Sequence, residues 1–331
     1  MKRMLALIAA LLIFLGVAFT TTQTAPTKHQ AMPTVGILQL TTHPALDAIH
    51  KGVIAGMKQG GYTVGKNVKV DFQNAEGDQS NLKTMSERFA AEDAAVMVGI
   101  ATPAAQALAD VTSKTPIILG AITDPKGAKL VKSNTQPGGN ITGVSDQAPL
   151  EAQLKLIRQL MPDAKTLGVI STSSDDSAQT QAKMVTALAP KQGFTVKNFT
   201  VSSTNDLNQV AGEMVTQVDA VFVPTDNTIA SAMQTLVQVA NTKQVPVFPT
   251  VDTMVKDGGL ATIGINQYHL GVETGKMVAD VLSGRSKPAT TPIHFEKTGQ
   301  LIVNLKQAKR LGITIPQSVI DKAKQSGEVI Q

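Results

Sequence analysis

Gly138-Gly139-Asn140-Ile141-Thr142-Gly143-Val144-Ser145-Asp146 is the stretch on which the reading of this 331-residue chain turns. Turn formers, Ser133-Asn134-Thr135-Gln136-Pro137, lead into it. Gln147-Ala148-Pro149-Leu150 and an amphipathic helix pattern follow it. On both sides the same order recurs: strand, polar loop, helix. The stretch is therefore expected to be the first strand of a hinge between two matching α/β lobes. A ligand would sit in the cleft that the hinge closes.

Before the stretch, residues 34–40 form a short apolar run of buried-strand type, ending at Thr41-Thr42-His43-Pro44. Leu46, Ile49, Val53, Ile54 and Met57 then fall at helical spacing until Gly60-Gly61 stops them. Residues 68–72 alternate as a second strand, a helix opens at Asn81, and residues 94–100 make a third strand. Ala101-Thr102-Pro103 turns into a helix over 104–111, and the strand 116–121 ends at Ile122-Thr123-Asp124-Pro125. After the stretch come a helix (151–160), a strand (166–170), the polar loop 171–177 and a helix (179–188). A strand (195–199), a helix (206–215) and a strand (220–224) follow, the last ending at Thr225-Asp226-Asn227-Thr228 before a helix to 239. Residues 245–249 are a strand into Thr250-Val251-Asp252. Residues 259–265 are another, into Asn266-Gln267-Tyr268 and a helix over 271–282. Such alternation implies parallel sheets with right-handed crossovers.

Three loops of the first half match three of the second: 39–44 with 171–177, 101–103 with 225–228, and 122–125 with 250–252. Each lies at the carboxyl end of a strand, where open α/β sheets bind ligands. Each is rich in Thr, Ser, Asp or Asn, so two facing rows give a polar-rimmed cleft. The same residue types also cap helices, and any one of them reads equally well that way. Asp124 before Pro125 reads as a turn or cap, Asp146 as a ligand or a cap for the helix near Pro149, and His43 as a cap or rim residue.

Composition bounds the chemistry. Hydrophobic residues make up 42% and charged residues 17%, a globular balance that suits two domains of ordinary size. There is no cysteine, so disulfides, thiolate metal sites, a cysteine nucleophile and a lipidated cysteine are all excluded. Lys2, Arg3 and Lys28 supply much of the net charge of +5, and the remainder has no basic block. With two Tyr, nine Phe and no Trp there is little to stack on bases, so no nucleic-acid partner is expected.

Met1-Lys2-Arg3 followed by the apolar run 4–19 is an export signal, with 20–32 as a polar tether. A clean small-residue cleavage site is missing, so the run serves as a cleaved signal or as a retained anchor. Either way the folded part works on the outer face of the cytoplasmic membrane.

The five His are scattered, with no H-E-x-x-H spacing. There is no G-x-S-x-G, G-x-G-x-x-G or P-loop. Asp175-Asp176 in a Ser-rich loop reads as a solvated cap. No enzyme, no cofactor and no metal is expected.

With the repeat in place, the chain resembles the substrate-binding proteins of ABC importers, in the group that serves aromatic amino acids. The resemblance runs from about residue 33 to 331. Val35-Gly36-Ile37 with Pro44-Ala45-Leu46-Asp47, residues 99–106, Ile122-Thr123-Asp124-Pro125, residues 140–146 and Pro224-Thr225-Asp226-Asn227 carry it. Residues 303–308 and 311–316 join them. It implies a periplasmic-binding-protein type I fold: two similar three-layer α/β lobes with parallel sheets joined by a three-strand hinge. Crossings would lie near 144–149, 265–268 and 293–299. Residues 33–146 plus 267–296 would be lobe 1, and 147–266 plus 297–331 lobe 2. It further implies a monomer that captures tryptophan or another aromatic amino acid and delivers it to an ABC permease. A type I binding protein for a sugar, or a ligand sensor of the same fold, is the alternative. A sugar site commonly sandwiches rings between aromatic side chains, which are few here. A gene regulator would need a DNA-binding domain where the export signal stands.

A zwitterionic amino acid needs N–H and hydroxyl donors for its carboxylate, which helix N-termini supply. Thr102 and Ala104 suit this, with Thr172, Ser173 and Ser174 from the other lobe. Its ammonium needs a carboxylate. Asp226 and Asp252 are the first candidates and Asp146 the next. Thr41, Thr123, Ser145, Asn227 and Asn266 fill out the polar shell. Tyr268 and Phe72 are candidates to pack on a ligand ring.

Overall fold

The computed structural model describes Met4, residues 32–296 and residues 299–331. The expected export run and most of its tether lie outside the described residues. No helix among the described residues is long and apolar enough to cross a membrane. Residues 33–331 form one compact unit.

The first sheet is built in chain order from β1 (Thr34–Gln39), α1 (Pro44–Gln59), β2 (Lys69–Asn74), α2 (Gln79–Ala91), β3 (Val96–Ile100), α3 (Thr102–Val111), β4 (Ile117–Gly120) and β5 (Ile141–Ser145). The chain then continues into α4 (Leu150–Leu160), β6 (Thr166–Thr172), α5 (Asp176–Leu188), β7 (Thr195–Val201), α6 (Thr204–Met214), β8 (Ala220–Val223), α7 (Asn227–Ser231), α8 (Met233–Thr242), β9 (Val247–Pro249), α9 (Asp252–Lys256) and β10 (Ala261–Gly264). It returns for α10 (Gln267–Leu282) and β11 (His294–Phe295). It ends with β12 (Gln300–Asn304), α11 (Leu305–Leu311), α12 (Gln317–Ser326) and β13 (Glu328–Ile330).

One sheet has the order β11-β5-β4-β3-β1-β2, another β7-β6-β8-β9, and a third β10-β12-β13. The last two abut, since the Leu260 amide donates to the Val247 carbonyl and Val251 bridges Ile265. β1, β3, β4 and β5 are buried along nearly their whole length, as parallel strands with helices on both faces must be. Of the edge strands, β2 is mostly half-buried and β7 largely exposed. The chain moves between the sheets after β5, after β10 and after β11.

Several elements differ from the sequence reading. The quoted stretch forms β5, an interior strand between β4 and β11, and the passage to the other lobe begins only at Asp146. Gly143 sits at φ 150 with the Leu119 backbone where a side chain would go, so β4 and β5 pack without one there. Ser171 and Thr172 belong to β6 rather than to a loop. The expected helix after Asp226 is two helices broken at Ala232, and Asp252 opens α9. β12 runs antiparallel to β10, an exception to the parallel pattern. β10 runs toward the hinge and β12 comes out of it, so the two must point in opposite directions.

Three apolar clusters follow this division. One surrounds β1, β3 and β4, and two flank the strands of the second lobe. Gln153 of α4 is fully buried between them. Its Nε2 donates to the Pro249 carbonyl at 3.1 Å and its Oε1 accepts from the Ile263 amide at 2.5 Å. Gln153→Leu strands both backbone groups in the core. It is expected to cost about 2–6 kcal/mol in chemical denaturation with ligand affinity unchanged, at about 1–3 kcal/mol per unmet group.

Candidate functional site

The carboxyl ends of β1, β3, β4 and β5 meet those of β8 and β9 around a narrow cleft. Its apolar wall is Leu46 and Ile49 from α1, Ala230 from α7, and Val251 and Met254 at α9. Its polar lining includes His43, Thr102, Thr123, Asp146, Asp226 and Asn227, and no Lys or Arg among the described residues lines it.

Three helices reach the cleft with N-termini that no side chain caps: α1, α3 and the short α9, whose first turn carries Asp252. Their first-turn amides have no carbonyl one turn back to bond. α1 carries Asp47 in that turn and α3 carries no acid there, so α3 is the better anion receptor. The strand ends leading into α3 and toward Thr123 are strained, with Ala101 at φ 75 and Ala121 at φ 61. Both alanines line the cleft, where their small side chains leave room.

The acids divide by what already holds them. Asp226 caps α7, accepting from the Ile229 amide at 3.0 Å, and takes both the Thr172 amide and the Thr172 hydroxyl, the latter at 2.8 Å. Burial raises its pKa while those bonds lower it. Asp175 caps α5 through the Ala178 amide at 3.0 Å. Burial, with the charge of Asp226 adding to it, raises its pKa to about 6. Asp146 caps no helix. Its Oδ1 accepts from the Thr123 hydroxyl at 2.8 Å, and burial pushes its pKa up to about 7. Asp146 is thus the cleft carboxylate with most to gain from a ligand cation.

The two lobes touch across the cleft. His43 Nε2 lies 3.1 Å from Asn227 Oδ1, and the Thr102 and Ser177 hydroxyls are 2.8 Å apart. Ala45 packs into the apolar cluster of the second lobe.

Of the residues picked from sequence, Thr102, Thr123, Asp146, Asp226 and Asn227 line the cleft. Ala104 lies behind Thr102 in the first turn of α3, fully buried. Thr172 is buried against Asp226, and Ser145 donates to the Thr123 carbonyl at 3.2 Å, so both support the lining from behind. Ser173 and Ser174 are exposed beyond the end of β6, and Ser177 is the residue that reaches Thr102. Thr41, Asp252, Asn266 and Tyr268 do not line the cleft. Asp252 is buried at the start of α9, Asn266 caps α10 through the His269 amide, and Tyr268 is exposed. Phe72 stacks on His50 away from the cleft. Asp124 closes a turn on the Gly127 amide. The sequence reading passed over the apolar wall and Gln267, because apolar residues at helical spacing look like ordinary core. The uncapped Pro-led starts of α1 and α3 were the available signal.

Residues 34–327 match the family described as ABC transporter substrate binding protein. A protein named tyrosine-binding protein from Clostridioides difficile (strain R20291) is 35% identical over 288 residues, covering 86% of this chain and 82% of that protein. A solved structure of an ABC domain in complex with L-Trp from Streptococcus pneumoniae is 47% identical, covers 90% of this chain and 99% of that chain, and has a TM-score of 0.86. The ligand-free, open structure of a substrate binding protein with adhesive properties from Clostridium difficile is 32% identical over the same shares, with a TM-score of 0.71.

Proposed function

This chain belongs to the family of ABC transporter substrate-binding proteins, and from that premise we propose that its cleft captures an aromatic amino acid, tryptophan or tyrosine. Proteins of this family bind rather than catalyse and work outside the cytoplasm. The observation that carries the ligand reading is the pairing of a buried carboxylate, Asp146, with the uncapped N-terminus of α3 in a cleft that no Lys or Arg among the described residues lines. The ammonium meets Asp146, the carboxylate meets the α3 amides and the Thr102 hydroxyl, and the ring lies on Leu46, Ile49, Val251 and Met254. No Phe or Tyr among the described residues lines the cleft to sandwich a pyranose, which weighs against a sugar.

Lobes of 33–146 plus 267–296 and of 147–266 plus 297–331 close on the ligand by hinge bending, and the closed form docks on the permease for import. Contacts such as His43–Asn227 and Thr102–Ser177 form only when the lobes meet, so they belong to the closed state. The higher similarity to the L-Trp complex than to the ligand-free, open structure supports that reading. Residues 4–19 export the chain or anchor it at the membrane surface.

Calorimetry on the leaderless protein against amino acids and sugars tests the ligand class. Saturable binding of tryptophan or tyrosine is expected, and binding of a sugar alone would overturn it. Small-angle scattering should show compaction on saturation, and an unchanged radius of gyration would rule out closure.

A further inference from the structure

We infer that His43 selects among aromatic side chains by the hydrogen-bond donor they carry, accepting that donor at Nδ1; the inference rests on the amino-acid reading above. The tautomer follows from neighbours in a chain. Asn227 Nδ2 lies 3.4 Å from Asp175 Oδ2, so the amide nitrogen faces the acid and Oδ1 faces His43. That oxygen only accepts, which makes His43 Nε2 the N–H. A neutral imidazole protonated at Nε2 carries its lone pair at Nδ1. Burial lowers the pKa of this ring and keeps it neutral, against weaker opposing effects of Asn227 and Asp47.

His43 lines the cleft, and its Nδ1 is buried with no hydrogen-bond partner in the protein. Leu46 and Ile49 follow His43 along α1, and Val251 and Met254 meet them from the second lobe. A ring held among these side chains lies beside the imidazole. An indole N–H or a phenol O–H there supplies the donor that Nδ1 lacks, whereas a phenyl ring offers only C–H. A site with a buried acceptor discriminates against the ligand that leaves it unpaired.

The test is calorimetric titration of the leaderless wild-type protein with tryptophan, tyrosine, phenylalanine and 3-benzothienylalanine. The last keeps the shape of tryptophan with sulfur in place of the indole N–H. Tryptophan or tyrosine is expected to bind about tenfold or more tighter than phenylalanine, and tryptophan similarly tighter than 3-benzothienylalanine. His43→Leu should erase that preference, bringing the four affinities to within about threefold of one another whatever loss they share from removing the His43–Asn227 contact. Equal wild-type affinity for tryptophan and 3-benzothienylalanine, or a folded His43→Leu protein that keeps the preference, overturns the role of His43 and leaves the amino-acid reading standing. Binding of none of the four ends both.

Discussion

Asp146→Asn is expected to weaken tryptophan or tyrosine binding by about a hundredfold, the scale of a buried charge-assisted hydrogen bond. Asparagine keeps the shape and still accepts from Thr123, so the fold and the Thr123 contact survive. What is lost is the charge facing the ligand ammonium. The pH dependence makes the test sharper. The carboxyl of Asp146 sits at about 7 because burial disfavours its charge, well above an ordinary aspartate. Closing the lobes over an empty cleft is therefore easier below about pH 7, where the group enters neutral. Closing over an ammonium favours the ionised group. Wild-type affinity should fall as the pH drops through the pKa of Asp146 in the ligand-free, open form, which lies below that in the closed, empty cleft because the open cleft solvates the carboxylate, by up to about tenfold per unit once the proton must be displaced. Asp146→Asn should be flat over that range. Calorimetry at a series of pH values measures both. A variant that binds as tightly as wild type removes Asp146 from the site. Asp226→Ala is a poorer probe, because it would free the Thr172 groups and uncap α7, and its loss would mix structure with binding.

Gly56→Val is expected to destabilise the protein by about 3 kcal/mol or more, the upper part of the range for overpacking. At about 2–4 °C per kcal/mol the melting temperature drops by about 6–12 °C. α1 and α10 cross in close contact. A side chain at Gly56 would strike the Val272 backbone, and one at Gly275 would strike the Val53 carbonyl. Backbone cannot move aside as a side chain tip can, so the helices must separate. α1 brings His43, Leu46 and Ile49 to the cleft, and α10 begins just after the chain leaves β10. Their fixed spacing ties the cleft wall to one hinge passage, so ligand affinity should fall along with stability. Gly212→Ala is the control. It lies within α6 with open space around it and an ordinary φ. It should raise stability by about 0.5–1 kcal/mol through helix propensity. Thermal melts of both variants decide this, and a Gly56→Val protein as stable as wild type would contradict the packing.

Much of the fold is legible because it depends on local signals. Short uninterrupted apolar runs such as residues 117–119 and 220–223, bounded by turn residues, read as strands covered on both faces. Gly60-Gly61, Pro44 and Pro103 mark where helices stop and start. The order of these elements, with polar residues at each strand end, is enough to place a cleft. The glycines at 52, 56, 271 and 275 were just as visible. Their meaning needs the partner helix, which lies about 215 residues away in the chain.

The candidate site divides along the same line. From sequence, Asp146, Asp226 and Asp252 are equivalent acids at strand ends. Only the folded chain shows that Asp226 spends its oxygens on Thr172 and α7, that Asp252 lies off the cleft, and that Asp146 has no cation beside it among the described residues. Likewise Ser173, Ser174 and Ser177 differ by a few positions along one loop and helix turn, and it is Ser177 that meets Thr102. By itself the sequence determined the alternation of strands and helices, the two-lobed class and the row of polar strand ends, because period, turn residues and apolar runs act between near neighbours. Which of those polar groups are already satisfied, and which still face open space, was decided by the tertiary structure, because hydrogen-bond partners and burial come from chain segments far apart in sequence.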